Sequence, residues 1–546
     1  VNKFGIYLCY HPGVDMRTEG LGRHLGEFLK GAYERDDVEF VVACPSWLTA
    51  NLRQLLESWG LAPDAIDIVA PAAPPLLLTA HKYYATRRAR KPGIPRRSRL
   101  GARLRQFFLR GEIGIERRVA SARTIAGGAY WGAVLFLFLL AAALVHNVLS
   151  WPGAVRRFAG RLVRKSFGRM IRVRNRLRLR TRPETGRPWE TLSARLLRTM
   201  VENEASLLGR LIEARKDVLA WYSPTAFWPS FHNLAVPRLM CVPDVVLNEF
   251  PTGFSVLGGS AVEKDFDKLE SAIHHGEYFV TYSERVKWET LVRRYGANPE
   301  SVFVIRHGAN RLDDLIRVTG YPDNAIATSK LCRRLFAMAL PKAVHRANEG
   351  IRVSADIRFI FYASQFRPNK NIISLLRAYD YLLRRRFVRH KLILTGIPLE
   401  SGDVSNFIAD RNLQHDVLCL HNLSEQELAA CYHLADLAVN PSLSEGGCPF
   451  TFTEAMSVGT PVVMARIPVT EEVITDPQLQ AAMLFDPFDW RDMASRIEYG
   501  LLNRDKLHAL EQPFYAQLAQ RSWRNVVDDY IAVLDHIAAR AEPVHA

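Results

Sequence analysis

Pro441–Val463 reads PSLSEGGCPFTFTEAMSVGTPVV. An apolar approach ends at Pro441 and a glycine-containing loop follows. Then come a helix start, a Gly-Thr-Pro break and a β-type run, Pro461-Val462-Val463. Two carboxylates, Glu445 and Glu454, bracket the loop. A glycine-rich loop entering a helix offers unpaired backbone N–H groups and a partial positive charge, which suit a diphosphate. Carboxylates beside such a loop repel phosphate but accept hydrogen bonds from sugar and ribose hydroxyls. On spacing alone, an ordinary β–loop–helix connection with a surface glutamate at each end fits equally well.

The residues themselves add a resemblance. The segment resembles the donor loop of glycosyltransferase family 4, retaining enzymes with the GT-B fold, written E-G-F-G-L-P-x-x-E-A-M-x-x-G-x-P-V-V. This chain has E-G-G-C-P-F-T-F-T-E-A-M-S-V-G-T-P-V-V, with one more residue between the two glutamates. The resemblance implies an α/β chain of two Rossmann-like domains facing across a cleft. It implies that Glu454 accepts hydrogen bonds from the nucleotide ribose and that Glu445 lies near the donor hexose. Backbone N–H groups of Gly446, Gly447 and Cys448 would line sugar and diphosphate; Pro449 has none to give.

Other segments of the chain extend it. RFIFYA (358–363) reads as a strand, and the loop after it, SQFRPNKN, carries Arg367 and Lys370. Departure of a nucleotide needs its diphosphate charge stabilised, and two cations on one loop suit that task. In the family pattern G-R-L-x-x-x-K, Lys370 falls on the lysine, while Gln365 holds the arginine position and Arg367 stands two residues later. Lys370, Arg367 and Glu445 are therefore the expected catalytic group. No metal and no other cofactor is expected, the nucleotide sugar being a substrate. CVPDVVLNEFPTGF (241–254) sits where family members often carry His-Asp. Asp244 matches the aspartate on the acceptor side, and Pro243 replaces the histidine, leaving His11, His24 and His307 as weak substitutes. Gly20 and Gly22, after the strand KFGIYLC (3–9), read as a loop near the donor phosphates, or as a simple tight turn. The aromatic run WYSPTAFWPSFH (221–232) fits stacking on a sugar and core packing equally well. Asp265-Phe266-Asp267 spells a metal-binding DxD, but in a helix-like stretch it reads as a solvated helix start.

Short apolar strands alternating with helical stretches run through residues 1–80 and 189–315, expected as the acceptor-side domain. The pattern resumes in 316–515 as the nucleotide-sugar domain, and 516–546 resembles a terminal helix that crosses back. The 546 residues suffice for this organisation. Seven scattered cysteines with no CxxC pair argue against zinc or a disulfide framework and for a reducing compartment. The opening VNKFGIYLCYHPG lacks the basic start and long apolar run of a secretory leader.

Net charge is +16, yet residues 82–187 alone hold 27 Lys and Arg against three acids, or +24, leaving −8 for the rest. The segment 81–188 therefore reads as a basic, apolar helical insertion whose partner is anionic. Its centre, YWGAVLFLFLLAAALVHNVL (130–149), is apolar, with a charge-free core shorter than the roughly 20 residues of a bilayer crossing. Both flanks are basic and both neighbouring stretches should share one sheet. A re-entrant or interfacial element on anionic lipid fits better than a crossing, with a buried oligomer contact as the alternative. Nucleic-acid binding fits less well, because phosphate recognition requires no apolar run.

Together these readings point to a retaining glycosyltransferase on the cytoplasmic face of the inner membrane. It would move a hexose from a nucleotide sugar to a glycan acceptor, polyprenyl-linked by expectation, in surface polysaccharide or glycolipid assembly. The alternative is a catalytically degenerate GT-B scaffold of a polysaccharide assembly complex.

Overall fold

In a computed structural model the described residues are 1–14, 16, 20–62, 66–78, 115, 118–119, 121–124, 126–138, 192–250, 253–254, 260–343, 356–398 and 402–541. Most of the basic segment, and the apolar run beyond 138, lie outside them.

Two all-parallel sheets form. The first contains β1 (Asn2–Tyr7), β2 (Val38–Ala43), β3 (Asp67–Val69), β4 (Ala220–Ser223), β5 (Arg238–Cys241), β6 (Tyr278–Thr281) and β7 (Val302–Val304). Its spatial order is β3-β2-β1-β4-β5-β6-β7. The second contains β8 (Phe359–Tyr362), β9 (Lys391–Thr395), β10 (Val417–Leu420), β11 (Leu437–Asn440), β12 (Val462–Ala465) and β13 (Leu484–Phe485). Its order is β10-β9-β8-β11-β12-β13. Strands such as FIFY, VLCL and LAVN are buried along their whole length. Helices cover both faces of such a sheet, so its strands read as continuous apolar runs rather than alternating ones.

Each sheet reverses its winding direction once, between β1 and β4 in the first and between β8 and β11 in the second. Phe4 pairs with Ala220 at one reversal and Ile360 with Leu437 at the other. Ligands of open α/β sheets bind outside the carboxyl ends of strands at such points. The chain between β3 and β4, which carries the basic segment, therefore enters the sheet at the first reversal.

Each sheet has its own core. Leu312 and Ile316 already pack in the second, so the domain change lies just before Leu312. The helix Arg504–Ala519 buries Leu507 in that second core, and the chain then crosses. Ser522 caps the next helix, Trp523–Arg540, by accepting from Asn525 N at 3.2 Å. That helix buries Trp523, Val526, Tyr530 and Leu534 against the first sheet. At Gly31 an added Cβ would stand 2.7 Å from the Trp523 backbone, so glycine allows the two helices to touch.

Two readings left open by the sequence gain detail. Gly20 and Gly22 form the first turn of the helix Gly20–Tyr33 rather than a loop ahead of it. A Cβ on Gly22 would lie 1.9 Å from the Met16 carbonyl oxygen, which explains the glycine by close backbone approach. The aromatic run 221–232 is core: Trp221, Tyr222 and Phe231 are buried, and Phe227 is the exposed exception.

Candidate active site

Loops at the carboxyl ends of adjacent strands meet at the second reversal. After β8 the chain makes a short 3₁₀ turn, Pro368–Lys370, with Asn371 in the left-handed conformation that starts the helix Ile372–Arg385. After β11 comes the loop Pro441–Pro449, and then the helix Phe450–Ser457. Because β8 and β11 are neighbours, Lys370 and Glu445 are brought together: Lys370 Nζ donates to Glu445 Oε1 at 2.7 Å. The loops are tied again by Leu443 N donating to the Asn369 carbonyl at 2.8 Å. Burial opposes the Lys370 charge, but Glu445 and the Tyr362 hydroxyl outweigh it and hold the ammonium above its ordinary range. Arg367 lies at the head of the same turn, exposed.

Across the cleft, Asp244 follows β5. Its carboxyl is pushed up to about 6, by burial first and by Glu445 second, against the pull of Lys370 and Arg367. Asp244, Glu445, Lys370 and Arg367 thus share one electrostatic neighbourhood drawn from both domains.

The glycines of the loop Pro441–Pro449 have a local reason. A Cβ on Gly446 would stand 2.3 Å from the Pro243 carbonyl oxygen, and one on Gly447 2.9 Å from Tyr282 Cβ. Two backbones from opposite domains approach there as no other residue allows. Cys448 follows, its thiol pushed up to about 12 by burial and Glu445. Glu454, one turn into the next helix, is 2% exposed and accepts from Asn310 Nδ2 at 3.4 Å. Asn310 N also reaches Thr453 Oγ1 at 3.3 Å, so the interdomain connection is fastened to this helix. Among the described residues, Asn310 Oδ1 is buried with no hydrogen-bond partner.

Three residues that chain reading rated low or passed over also belong here. His307, just beyond the carboxyl end of β7, sets its ring 4.3 Å from that of Phe450 at a tilt of 47° and bonds to the backbone around Gly308 and Cys448. Burial lowers its affinity for a proton, so the imidazole is neutral. Glu472 accepts from the backbone N–H groups of Glu284 and Arg285, each at 3.0 Å, capping a first-domain helix from the second domain. Asn310 is the third. The signal available for His307 and Asn310 was position, since both directly follow the last strand of the first domain.

The remaining candidates lie elsewhere. His24 is buried against Trp523 and Tyr282, with burial and His307 lowering its pKa to about 3. His11 is near Lys268 and Asp265. Asp265 pairs with Lys268 at 2.9 Å on the helix Ser260–His274. Gly20 and Gly22 belong to the first-domain helix described above, Gly22 against the Met16 backbone.

Residues 347–515 match the family described as glycosyl transferases group 1. The chain is 29% identical over 215 residues to the O-antigen chain mannosyltransferase B of Escherichia coli, covering 39% of this chain and 55% of that protein. It is 30% identical over 184 residues to the MMP alpha-(1->4)-mannosyltransferase of Mycolicibacterium hassiacum, covering 34% and 44%. The chain thus spans about half the length of these curated relatives. Among solved structures, the Anabaena HepE protein in complex with UDP and glucose superposes with TM-score 0.53 at 13% identity, over 99% of this chain and 100% of that one. A glycosyltransferase from Rickettsia africae gives TM-score 0.51 at 12% identity, over 99% and 100%. The fold is GT-B. The second sheet lies within the matched residues, and the site just described lies between that domain and the first.

Proposed function

We propose that this protein is a retaining glycosyltransferase that moves a hexose from a nucleotide sugar to a glycan acceptor in polysaccharide assembly. The observation that carries the reading is the Lys370–Glu445 pair, set at the reversal point of the group 1 domain and facing Asp244. Lys370 and Arg367 would take the charge that grows on the departing diphosphate, with no metal required. Glu454 would hold the ribose and Glu445 the donor hexose, flanked by the backbone of Gly446, Gly447 and Cys448. The bond from anomeric carbon to phosphate oxygen breaks, and the acceptor oxygen bonds to the same face. The acceptor proton goes to the departing phosphate. The relatives are named as mannosyltransferases, which supports mannose as the first hexose to try.

Attachment to anionic lipid belongs to the same proposal. Its supports are the charge of residues 82–187 and the helix 126–138, which exposes Tyr130, Phe136 and Leu137. Among the described residues no helix is long and apolar enough to cross a membrane. A lipid-linked acceptor presented at that surface would reach the cleft from the first-domain side.

The test is a donor-hydrolysis screen over GDP-mannose, UDP-glucose, UDP-galactose and UDP-N-acetylglucosamine, followed by NMR of the released sugar's anomer. One donor should be turned over with its anomeric configuration kept. Hydrolysis of none, together with no binding of UDP or GDP, overturns the transferase reading.

A further inference from the structure

The connection between the domains lies along the loop and helix start of the second. Ile305 still packs in the first core and Leu312 already in the second. Between them, His307 and Asn310 both reach forward. Asn310 Nδ2 donates to Glu454 Oε1 at 3.4 Å and Asn310 N to Thr453 Oγ1 at 3.3 Å. Nearer the loop, the His307 ring stands 4.3 Å from that of Phe450, with Nδ1 3.1 Å from the Gly308 carbonyl oxygen. Nε2 faces the turn Gly446–Cys448, where a Cβ on Gly447 would lie 3.3 Å from it. The ring also bonds to the Cys448 backbone in a way that favours its protonated form. Such a bond is donated by the ring, so its acceptor is the Cys448 carbonyl. A neutral imidazole has one N–H for these two carbonyls, and the tautomer with the proton on Nε2 is the one that holds Cys448.

Pro243 and Tyr282 complete a cradle around the turn. A Cβ on Gly446 would stand 2.3 Å from the Pro243 carbonyl oxygen, and one on Gly447 2.9 Å from Tyr282 Cβ. The carboxyl ends of β5, β6 and β7 are thus each followed by one residue of the cradle. Pro243 has no side-chain donor, and the Tyr282 hydroxyl is engaged with His24 Nε2 at 3.3 Å. His307 is the member whose side chain donates to the turn. The bond has an electrostatic consequence. A peptide carbonyl carries partial negative charge and its N–H partial positive charge, so an anion is held by the N–H groups of a turn and repelled by a carbonyl that swings toward it. A Cys448 carbonyl bonded to His307 is kept from swinging.

We propose that His307 is a positioning residue for the departing diphosphate: from the interdomain connection it holds the Cys448 carbonyl, and so presents the N–H groups of the turn Gly446–Cys448 to the anion. This rests on the transferase reading above. The bond joins the connection to the second domain, so the turn takes this shape only while the two lie together.

The experiment is calorimetry on the full chain with UDP, UMP, GDP and GMP, which compares binding with and without the second phosphate. The wild type should bind one diphosphate more tightly than its own monophosphate. In His307→Asn the amide reaches as Nδ1 does and falls short of Cys448. The ratio of the two affinities should fall about fivefold there, with monophosphate binding kept. His307→Gln, whose amide reaches as far as Nε2, should keep the ratio within about twofold. A merely structural role would weaken both nucleotides together and would not separate Gln from Asn. If His307→Asn does not fold, Gly447→Ala reads the same contact from the other side. Its Cβ presses on His307 Nε2 and Tyr282, and the ratio should fall in the same way. An unchanged ratio, a loss shared equally by mono- and diphosphate, equal losses in the Gln and Asn variants, or a wild type without preference for the diphosphate overturns the proposal. A wild type that binds none of the four nucleotides condemns the transferase reading itself, and this proposal with it.

Discussion

Lys370 Nζ and Glu445 Oε1 stand 2.7 Å apart, although 75 residues separate them in the chain. A donor phosphate approaching Lys370 therefore competes with a carboxylate already bonded to it. The two partners should respond differently to mutation. Lys370→Ala should lower turnover by about 100-fold, a cost on the order of 3 kcal/mol for one contact to the leaving group. Glu445→Gln should bind UDP or GDP more tightly while transferring more slowly, because the ammonium is released and the hexose contact weakened. Steady-state kinetics with product inhibition measure both. Near-normal turnover in the lysine variant would falsify its role.

Asp244 should make both stability and activity depend on pH. Its folded carboxyl titrates near 6, raised from 3.8 by burial and by Glu445. A raised carboxyl is protonated more readily in the folded state. Its contribution is therefore fully present below pH about 4 and is lost as pH rises through 6. The loss amounts to at most about 3 kcal/mol, less whatever solvent screening removes. Asp244→Asn should therefore raise the melting temperature at pH 8 and flatten its slope between pH 4 and 6. If ionised Asp244 orients the acceptor hydroxyl, acceptor kcat/KM rises through pH 6 in the wild type and not in the variant. An unchanged slope in the melting series removes Asp244 from the coupled group.

Glu454→Ala should raise donor KM by about tenfold with little change in kcat, since ribose contacts alter little along the reaction. Glu454→Gln keeps an acceptor oxygen and should be milder. The competing effect is structural, because Glu454 is buried and bonded to Asn310. Asn310→Ala separates the two: it disturbs the interdomain connection while leaving the carboxylate. A KM shift equal in both variants would assign the effect to the connection rather than to the ribose.

What was legible in the chain divides along physical lines. The second domain could be read almost strand by strand, because parallel strands buried on both faces are apolar runs, as in FIFY and LAVN. Lys370, Glu445 and Glu454 were singled out through the family pattern, since loop and helix spacing alone left an ordinary connection equally open, and the structure brings the first two into contact. Glu472 was passed over. Its place depends on how one domain closes on the other, and no spacing along the chain encodes that. Pro243 was read as replacing a histidine, and its carbonyl is what the loop Pro441–Pro449 packs against at Gly446. The glycines at 20 and 22 were read as a loop near the donor phosphates or as a tight turn, and the structure adds a steric reason for Gly22.

Domain closure should be adjustable at Glu472. It accepts the backbone N–H groups of Glu284 and Arg285 and lies 3.5 Å from the Arg306 guanidinium. Loss of such a cap typically costs about 1 kcal/mol. Here that cost would fall on the closed arrangement of the domains rather than on either core. Glu472→Ala should enlarge the radius of gyration in small-angle scattering and raise KM for donor and acceptor together. Unfolding of the separate domains should shift little. An unaltered scattering profile with unaltered KM values would show that Glu472 does not hold the domains.

Arg123 should anchor the segment that leads toward the apolar run. Its guanidinium is 2.5 Å from Glu204 Oε2, and Glu204 is 1% exposed. The other oxygen of Glu204 accepts from Ser46 N at 2.9 Å and from the Ser46 hydroxyl, just beyond the carboxyl end of β2. Residues 121–124 are thereby pinned to the cleft side of the first sheet, and the helix 126–138 with its exposed Tyr130 and Phe136 starts from that pin. Arg123→Ala removes one partner of a buried pair and should cost about 3 kcal/mol, read as a lower urea midpoint. Adding Glu204→Gln should recover part of it, since the stranded charge disappears. If the segment presents a lipid-linked acceptor, transfer in vesicles of anionic lipid should fall several-fold in Arg123→Ala, with donor hydrolysis in solution less affected. A urea midpoint that does not move would mean the pair holds nothing, and the anchoring role would be withdrawn.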